Sequence, residues 1–245
     1  MKASSAAQLR LLDLQAADTT LDQLAHRRSH LPELAEIADL ERKQRERRDD
    51  VVRAETRVAD LDRDQRKQEG DVEQVRSRAA RDQQRLLAGP SAREAESLQH
   101  EVDSLARRQA ELEDQLLEVM EQHEEADAEL ARASTRAGEA RTALSEAVDR
   151  RDGAFADIDA ASAARRAERE AIAAEIPDDL LTLYEKIRAS SGGTGAARLF
   201  QRRCEGCHLE LSGSDLSAVR EAAEDEVVRC EECRRILVRT PESGL

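Results

Sequence analysis

Apolar residues recur at steps of three, four and multiples of seven through most of the chain. One such seam runs from Leu98 to Leu144, and polar residues replace the apolar ones only at Gln109 and His123. A weaker seam precedes it, with members Leu34, Ile37, Val51, Ala54, Val58, Leu61, Gln68, Val72, Val75, Ala79 and Leu86. This spacing is typical of helices that pair as coiled coils. The sequence therefore predicts two long helices, each with a narrow apolar stripe.

Four residues between the two seams, Ala88-Gly89-Pro90-Ser91, predict a helical hairpin tip near residues 87–91. Glycine relaxes the backbone at the end of one helix, and proline cannot continue it. Ser91 followed by Glu94 is the pattern of a capping box, which starts the next helix. Because so short a turn makes the two helices neighbours, we expect them to pair antiparallel.

Prolines predict two further breaks. Pro32 disfavours helical geometry in the preceding residue, so we expect a kink near residues 31–32 and a separate helix over 4–30. After Pro177, Asp178 or Asp179 can begin a short helix through Ile187. The predicted fold class is mainly α, a long antiparallel helical coiled-coil hairpin over residues 1–176. Residues 177–245 would form a small C-terminal zinc-ribbon module with the short helix.

Composition argues against a large core. Charged residues make up 38% of the chain and aromatic residues 1%, and tryptophan is absent. An enzyme is disfavoured because little bulky apolar surface remains to build a catalytic pocket. The net charge of −14 repels phosphate backbones, so nucleic-acid binding would need a local basic patch. With no membrane span or apolar signal core in the sequence, we expect a soluble, cytoplasmic protein.

All four cysteines fall in two C-x-x-C pairs, Cys204 with Cys207 and Cys230 with Cys233. Two such turns present four thiolates to one tetrahedral Zn²⁺ and leave no ligand position open for water. The sequence thus predicts one structural zinc ion. A redox dithiol is the less favoured interpretation, and His208 is discounted as a ligand because its neighbours already complete the set.

Arginines surround the cysteines: Arg198, Arg202, Arg203, Arg229, Arg234, Arg235 and Arg239. One interpretation is a phosphate-binding surface, with Arg202, Arg203, Arg234 and Arg235 as candidate nucleic-acid contacts. The favoured interpretation is charge neutralisation, since glutamates and aspartates alternate with these arginines. Aromatic platforms for stacking bases are also missing.

Four stretches resemble a bacterial family of coiled-coil proteins with a C-terminal four-cysteine zinc ribbon, long catalogued as a domain of unknown function. They are Leu12-Asp13-Leu14-Gln15 with Asp18, Ser91 through Leu105, Pro177 through Gly193, and Cys230 through Leu237. The third includes Leu183-Tyr184 and Gly192-Gly193. The resemblance spans the chain and implies a helical hairpin with a ribbon module at its base, with zinc on the four cysteines.

Two hypotheses follow. Relatives in flagellated bacteria look like adaptors or chaperones for an alternative sigma factor or for flagellar export components, and nucleic-acid binding has been suggested for the family. We therefore expect a non-enzymatic zinc-binding interaction protein, an adaptor or chaperone-like scaffold whose coiled-coil arm binds a partner protein. The alternative is a nucleic-acid-binding protein that uses the ribbon arginines.

Overall fold

The computed structural model describes all residues, 1–245, and contains five helices and four short strands. The helices are α1 (Ser5–Ser29), α2 (Pro32–Leu87), α3 (Ala92–Ala173), α4 (Asp178–Ser190) and α5 (Gly213–Glu221). The strands are β1 (Ala196–Phe200), β2 (Arg203–Cys204), β3 (Val228–Arg229) and β4 (Ile236–Val238). No helix has both the length and the apolar composition needed to cross a membrane. The residues group into two compact units, Ala35–Val148 and Met1–Leu34 with Asp149–Leu245.

In the unit Ala35–Val148, α2 and α3 pair antiparallel. Arg78 forms an ion pair with Glu101, and His123 Nε2 lies 3.9 Å from Asp62 Oδ1, so residue numbers fall on one helix as they rise on the other. The seam residues lie inside the pair. The buried apolar residues of this unit are Ile37, Leu61, Val72, Leu98, Leu112, Ala126, Ala133 and Ala147. The predicted coiled-coil hairpin is confirmed.

Leu34 does not belong to the seam, contrary to the prediction. Its side chain is 37% exposed, whereas Ile37 is buried. One helical step of four residues back from Ile37 reaches Glu33, which is half-buried. Leu34 is an exposed residue of the first turn of α2, and burial of the apolar stripe begins at Ile37.

The tip joins Leu87 to Ala92. Gly89 has a φ of 76°, the left-handed conformation that favours glycine. The Ser91 amide donates to Glu94 Oε2 over 3.1 Å, and the Ser91 hydroxyl donates to the same oxygen over 2.7 Å. These bonds lower the pKa of Glu94. The predicted capping box is half formed, because the hydroxyl donates to the carboxylate instead of accepting from a backbone amide.

The other unit packs α1, α4 and the end of α3 against the sheet. Its first apolar cluster consists of Ala3, Ala7, Leu11, Leu14, Ala17, Ile172, Ile176, Leu180, Tyr184, Ile187, Ala196, Ile236 and Val238. Ser4 caps α1, accepting from the Ala7 amide over 3.2 Å. On the sheet side, α1 and α4 both contact β1. This packing holds the start of the chain against its C-terminal part.

The four strands form one sheet in the order β2-β1-β4-β3. β1 runs parallel to β4, whereas the two outer pairs, β1 with β2 and β3 with β4, are antiparallel. Leu209 and Leu211 lie outside these strands. Leu209 is 50% exposed, and Leu211 packs in a second apolar cluster beside the cysteines. α5 occupies the segment that follows, with Ser212 accepting from the Asp215 amide over 3.2 Å.

Candidate metal centre

The first C-x-x-C turn begins at Cys204, the last residue of β2. The backbone amides of Cys207 and Gly206 act to lower the pKa of the Cys204 thiol. The His208 amide donates to the Cys204 carbonyl over 2.7 Å, and the Cys204 amide donates to the Leu209 carbonyl over 3.0 Å. His208 has a φ of 60°, so the chain turns sharply after the second cysteine. These bonds shape the turn so that backbone amides face a thiolate.

The second turn repeats the first at the same residue offsets. The backbone amides of Cys233 and Glu232 act to lower the pKa of the Cys230 thiol. The Arg234 amide donates to the Cys230 carbonyl over 2.8 Å, and the Cys230 amide donates to the Arg235 carbonyl over 2.9 Å. Arg234 has a φ of 63°, matching His208. Two equivalent turns therefore face one another.

The four thiols converge. Cys204 Sγ lies 3.8 Å from Cys233 Sγ, and Cys207 Sγ lies 3.9 Å from Cys230 Sγ. All four sulfurs are within 4.8 Å of one another. A tetrahedron with Zn–S bonds of about 2.3 Å has sulfur–sulfur edges of about 3.8 Å, so the donor set fits Zn²⁺. His208 is exposed and is not part of this cluster.

Burial and local hydrogen bonds act differently on the metal-free thiols. Burial raises the pKa of Cys204 to about 12 and also raises the pKa of Cys230. For Cys233, burial acts upward as well, but hydrogen bonds from the Arg235 backbone and side chain and from neighbouring cysteines lower the pKa overall. Zinc must therefore displace protons from the two buried thiols when it binds.

Arg235 braces the centre, a role that the sequence did not reveal. Its guanidinium donates to the carbonyl oxygens of Gly206 over 3.0 Å, Ser191 over 2.7 Å and Thr194 over 3.2 Å. A side chain at Gly206 would meet Arg235 Cδ at 2.7 Å, so glycine permits this close approach. Arg235 thus ties both C-x-x-C turns to the loop after α4. Its carbonyl partners lie far from it in the sequence, so no local motif predicts these contacts.

The other candidate arginines have different surroundings. Arg202 Nε donates to the Gly244 carbonyl over 3.2 Å, and Arg203 Nη2 donates to the His208 carbonyl over 2.9 Å. Arg234 is paired with Glu231 at 2.9 Å. Arg202, Arg203 and Arg234 are exposed, whereas Arg235 is half-buried. Two of the four candidates therefore keep an exposed guanidinium without an acidic partner.

A buried polar network links the start of the chain to α4 in the same unit. The Tyr184 hydroxyl donates to Asp18 Oδ2 over 2.7 Å, and Arg169 Nε donates to Asp18 Oδ1 over 2.6 Å. Gln15 Oε1 accepts from the Gly195 amide over 2.7 Å, while its amide nitrogen donates to the Gly193 carbonyl over 2.9 Å. Asp18 is only 2% exposed, and its charge is balanced by Arg169. The network fixes α1 beside the loop that Arg235 also contacts.

Two family models match the chain. A CT398-like coiled coil hairpin domain matches residues 14–192, and a C4-type zinc ribbon domain matches residues 203–237. The ribbon match and the clustered thiols agree on the cofactor, one structural Zn²⁺.

Relatives resemble the chain over nearly its whole length. An uncharacterized protein of Mycobacterium tuberculosis is 40% identical over 240 residues, which cover 98% of each chain. A solved structure from Mycobacterium smegmatis has 39% identity and a TM-score of 0.86, covering 98% of this chain and 100% of that one. CT398 from Chlamydia trachomatis, at 19% identity, covers 96% and 98% with a TM-score of 0.67 and shares the fold. The chain belongs to the CT398-like family of coiled-coil hairpin proteins and carries a C4-type zinc ribbon.

Proposed function

We propose that this is a non-enzymatic interaction protein, an adaptor or chaperone-like scaffold whose coiled-coil hairpin binds a partner protein. The observation that carries the proposal is apolar surface left in water on the paired helices. Val52 is 53% exposed, Leu117 57%, Met120 39% and Leu87 82%, although the seam of the hairpin already has its own buried residues. Side chains presented in this way suit recognition of a helix or a groove on another protein.

In this proposal the zinc centre has a structural role, with Cys204, Cys207, Cys230 and Cys233 as its ligands. Four thiolates fill the tetrahedral shell, so no position remains for a catalytic water. Free thiols at this spacing persist in a reducing compartment, which favours the cytoplasm. The metal would hold together a ribbon whose strands are two to five residues long.

The test is affinity capture of the tagged full-length protein from its own cells, with and without nuclease, followed by mass spectrometry. The proposal expects a stoichiometric protein partner that survives nuclease treatment. Recovery of mainly RNA or DNA, with accompanying proteins that vanish after nuclease, would contradict it.

A second candidate function is nucleic-acid binding through the ribbon. It is favoured by Arg202 and Arg203, which are exposed and whose side chains contact only carbonyl oxygens. If it holds, binding of a labelled single-stranded RNA or DNA should weaken steeply with salt. The double substitution Arg202→Gln and Arg203→Gln should then weaken binding and reduce the salt dependence. Arg42→Gln and Arg53→Gln on α2 provide a matched loss of charge away from the ribbon.

A further inference from the structure

The charge of α3 is distributed unevenly. Between Arg108 and Arg132 the helix contains no lysine or arginine. The same stretch carries nine carboxylates: Glu111, Glu113, Asp114, Glu118, Glu121, Glu124, Glu125, Asp127 and Glu129. Elsewhere on the hairpin acidic and basic residues alternate, so this segment concentrates much of the molecule's negative charge.

More than half of these carboxylates have no cationic partner. Glu111 is paired with Arg108, Glu113 with Arg76, Asp127 with His123, and Glu129 with Arg132 and Arg136. No lysine, arginine or histidine nitrogen lies within ion-pair distance of Asp114, Glu118, Glu121, Glu124 or Glu125. Their charge is therefore exposed to solvent and to any approaching molecule.

The facing segment of α2 does not neutralise them. The contacts of Asp62 with His123 and of Arg76 with Glu113 place residues 62–76 opposite this part of α3. That segment contains five carboxylates and four lysines or arginines. Arg63 and Arg66 are occupied by Asp60 and Asp62 on their own helix. The negative potential of this region thus persists across both helices.

Two large apolar side chains lie within the acidic stretch. Leu117 is 57% exposed and Met120 is 39% exposed, and they are three residues apart on one helix face. Asp114 and Glu121 are one turn from Leu117, and Glu124 is one turn from Met120. We call these five residues the acidic-apolar face. Its centre is apolar, and its surroundings are unpaired negative charge.

We propose that the acidic-apolar face binds a basic amphipathic helix of a partner protein, an inference that rests on the proposed adaptor function. The apolar side of that helix would cover Leu117 and Met120, and its lysines or arginines would pair with Asp114, Glu121 and Glu124. Charge selects the occupant, because anionic lipid and nucleic acid are repelled by the same carboxylates. Leu117 and Met120 lie one turn apart on α3, so the apolar stripe of a helical ligand can cover both side chains.

The test uses fluorescence anisotropy with the zinc-loaded full-length protein and a labelled, designed helical peptide that has leucines on one face and lysines on the other. A second peptide keeps the lysines but has serine in place of each leucine. The proposal expects this second peptide to bind at least about tenfold more weakly, since two buried apolar anchors contribute more than that.

Variants of the protein locate the binding. The double substitution Leu117→Ser, Met120→Ser should weaken binding of the leucine-containing peptide at least about tenfold. Asp114→Asn, Glu121→Gln and Glu124→Gln together should weaken it and flatten its salt dependence. Leu9→Ser is the matched control, because Leu9 is 43% exposed and lies on α1, outside the acidic stretch and the hairpin. All these positions are exposed, so far-ultraviolet circular dichroism should stay unchanged.

Equal binding of the two peptides, or unchanged binding by the Leu117→Ser, Met120→Ser variant, would overturn the proposal. So would a concentration-dependent dimer in analytical ultracentrifugation that this variant abolishes, because the face would then belong to a second copy of the chain. If the peptide fails but a nuclease-resistant partner is still captured, only the acidic-apolar face is wrong. If affinity capture recovers no nuclease-resistant protein partner, the proposed adaptor function is wrong as well.

Discussion

At the scale of single residues, the zinc ribbon is held by two turns that use the same hydrogen bonds at the same offsets. His208 and Arg234 occupy equivalent positions, each with a positive φ directly after a cysteine. Neither side chain belongs to the thiol cluster. The backbone conformation at these positions therefore matters more than the identity of their side chains.

The substitution Cys204→Ser should abolish stoichiometric zinc binding and unfold the ribbon, because the remaining three thiols leave the tetrahedral shell incomplete. Most helical circular dichroism should remain, since the paired helices bury their own seam. Zinc content by elemental analysis and ellipticity at 222 nm check both expectations. His208→Asn is the control and should keep one zinc per chain, because asparagine tolerates a positive φ. Collapse of helicity together with the metal would contradict the account.

Tyr184, the only tyrosine in the chain, should resist ionisation until the protein unfolds. Burial is the larger cause, and the hydrogen bond to Asp18 is the second. Together they raise the pKa of Tyr184 well above the ordinary value of about 10. The native state then keeps a proton that the unfolded state releases. The resulting stabilisation is complete below about pH 10 and is lost as the pH rises beyond it.

Phenolate absorbance near 295 nm provides the measurement. At about pH 11 the folded protein should show almost no phenolate, and denaturant should reveal it, since an unfolded tyrosine ionises near pH 10. Tyr184→Phe should lower the free energy of opening of α1 in hydrogen exchange, because Asp18 loses a donor. A freely titrating Tyr184 in the folded protein would contradict the buried network.

At the scale of elements, the hairpin is shaped by where its helices stop. α2 ends at Leu87 and α3 begins at Ala92, with only Gly89 in the left-handed conformation at the tip. Gly70 lies inside α2, where a methyl group would meet nothing within 4 Å. The same chemical change at these two glycines should therefore have opposite effects on stability.

Gly89→Ala should destabilise the hairpin by about 1 kcal/mol, because alanine is strained at a positive φ. Gly70→Ala should stabilise it by about 0.5–1 kcal/mol, since alanine favours the helix interior. Thermal unfolding followed at 222 nm should show the midpoint falling for the first variant and rising for the second. Shifts of the same sign would contradict the assigned tip geometry.

The helices α1 to α4 could be predicted from the sequence, because apolar seams and helix-breaking residues are local signals. The helix-breaking residues are Pro32, Gly89, Pro90 and Pro177. The convergence of the cysteines followed from zinc chemistry. β2 and α5 could not be placed, since such short segments carry no resolvable period. Arg235 was assigned to a surface role because its carbonyl partners become neighbours only after folding.

At the scale of the whole molecule, the net charge of −14 is not spread evenly along the chain. The part of α3 between Arg108 and Arg132 is acidic and keeps Leu117 and Met120 in water, whereas the ribbon presents exposed arginines. A protein partner and a nucleic acid would therefore approach different parts of the chain. The two candidate functions can be separated by locating the bound partner.

The most direct measurement is carboxylate footprinting by mass spectrometry on the full-length protein, free and with its captured, nuclease-treated partner. The account predicts that a protein partner survives nuclease and reduces carbodiimide labelling of carboxylates within residues 35–148. Labelling of the acidic residues within 196–245 should stay unchanged. If no protein partner survives, or if protection is confined to residues 196–245, the hairpin is not the binding element and the central claim is wrong.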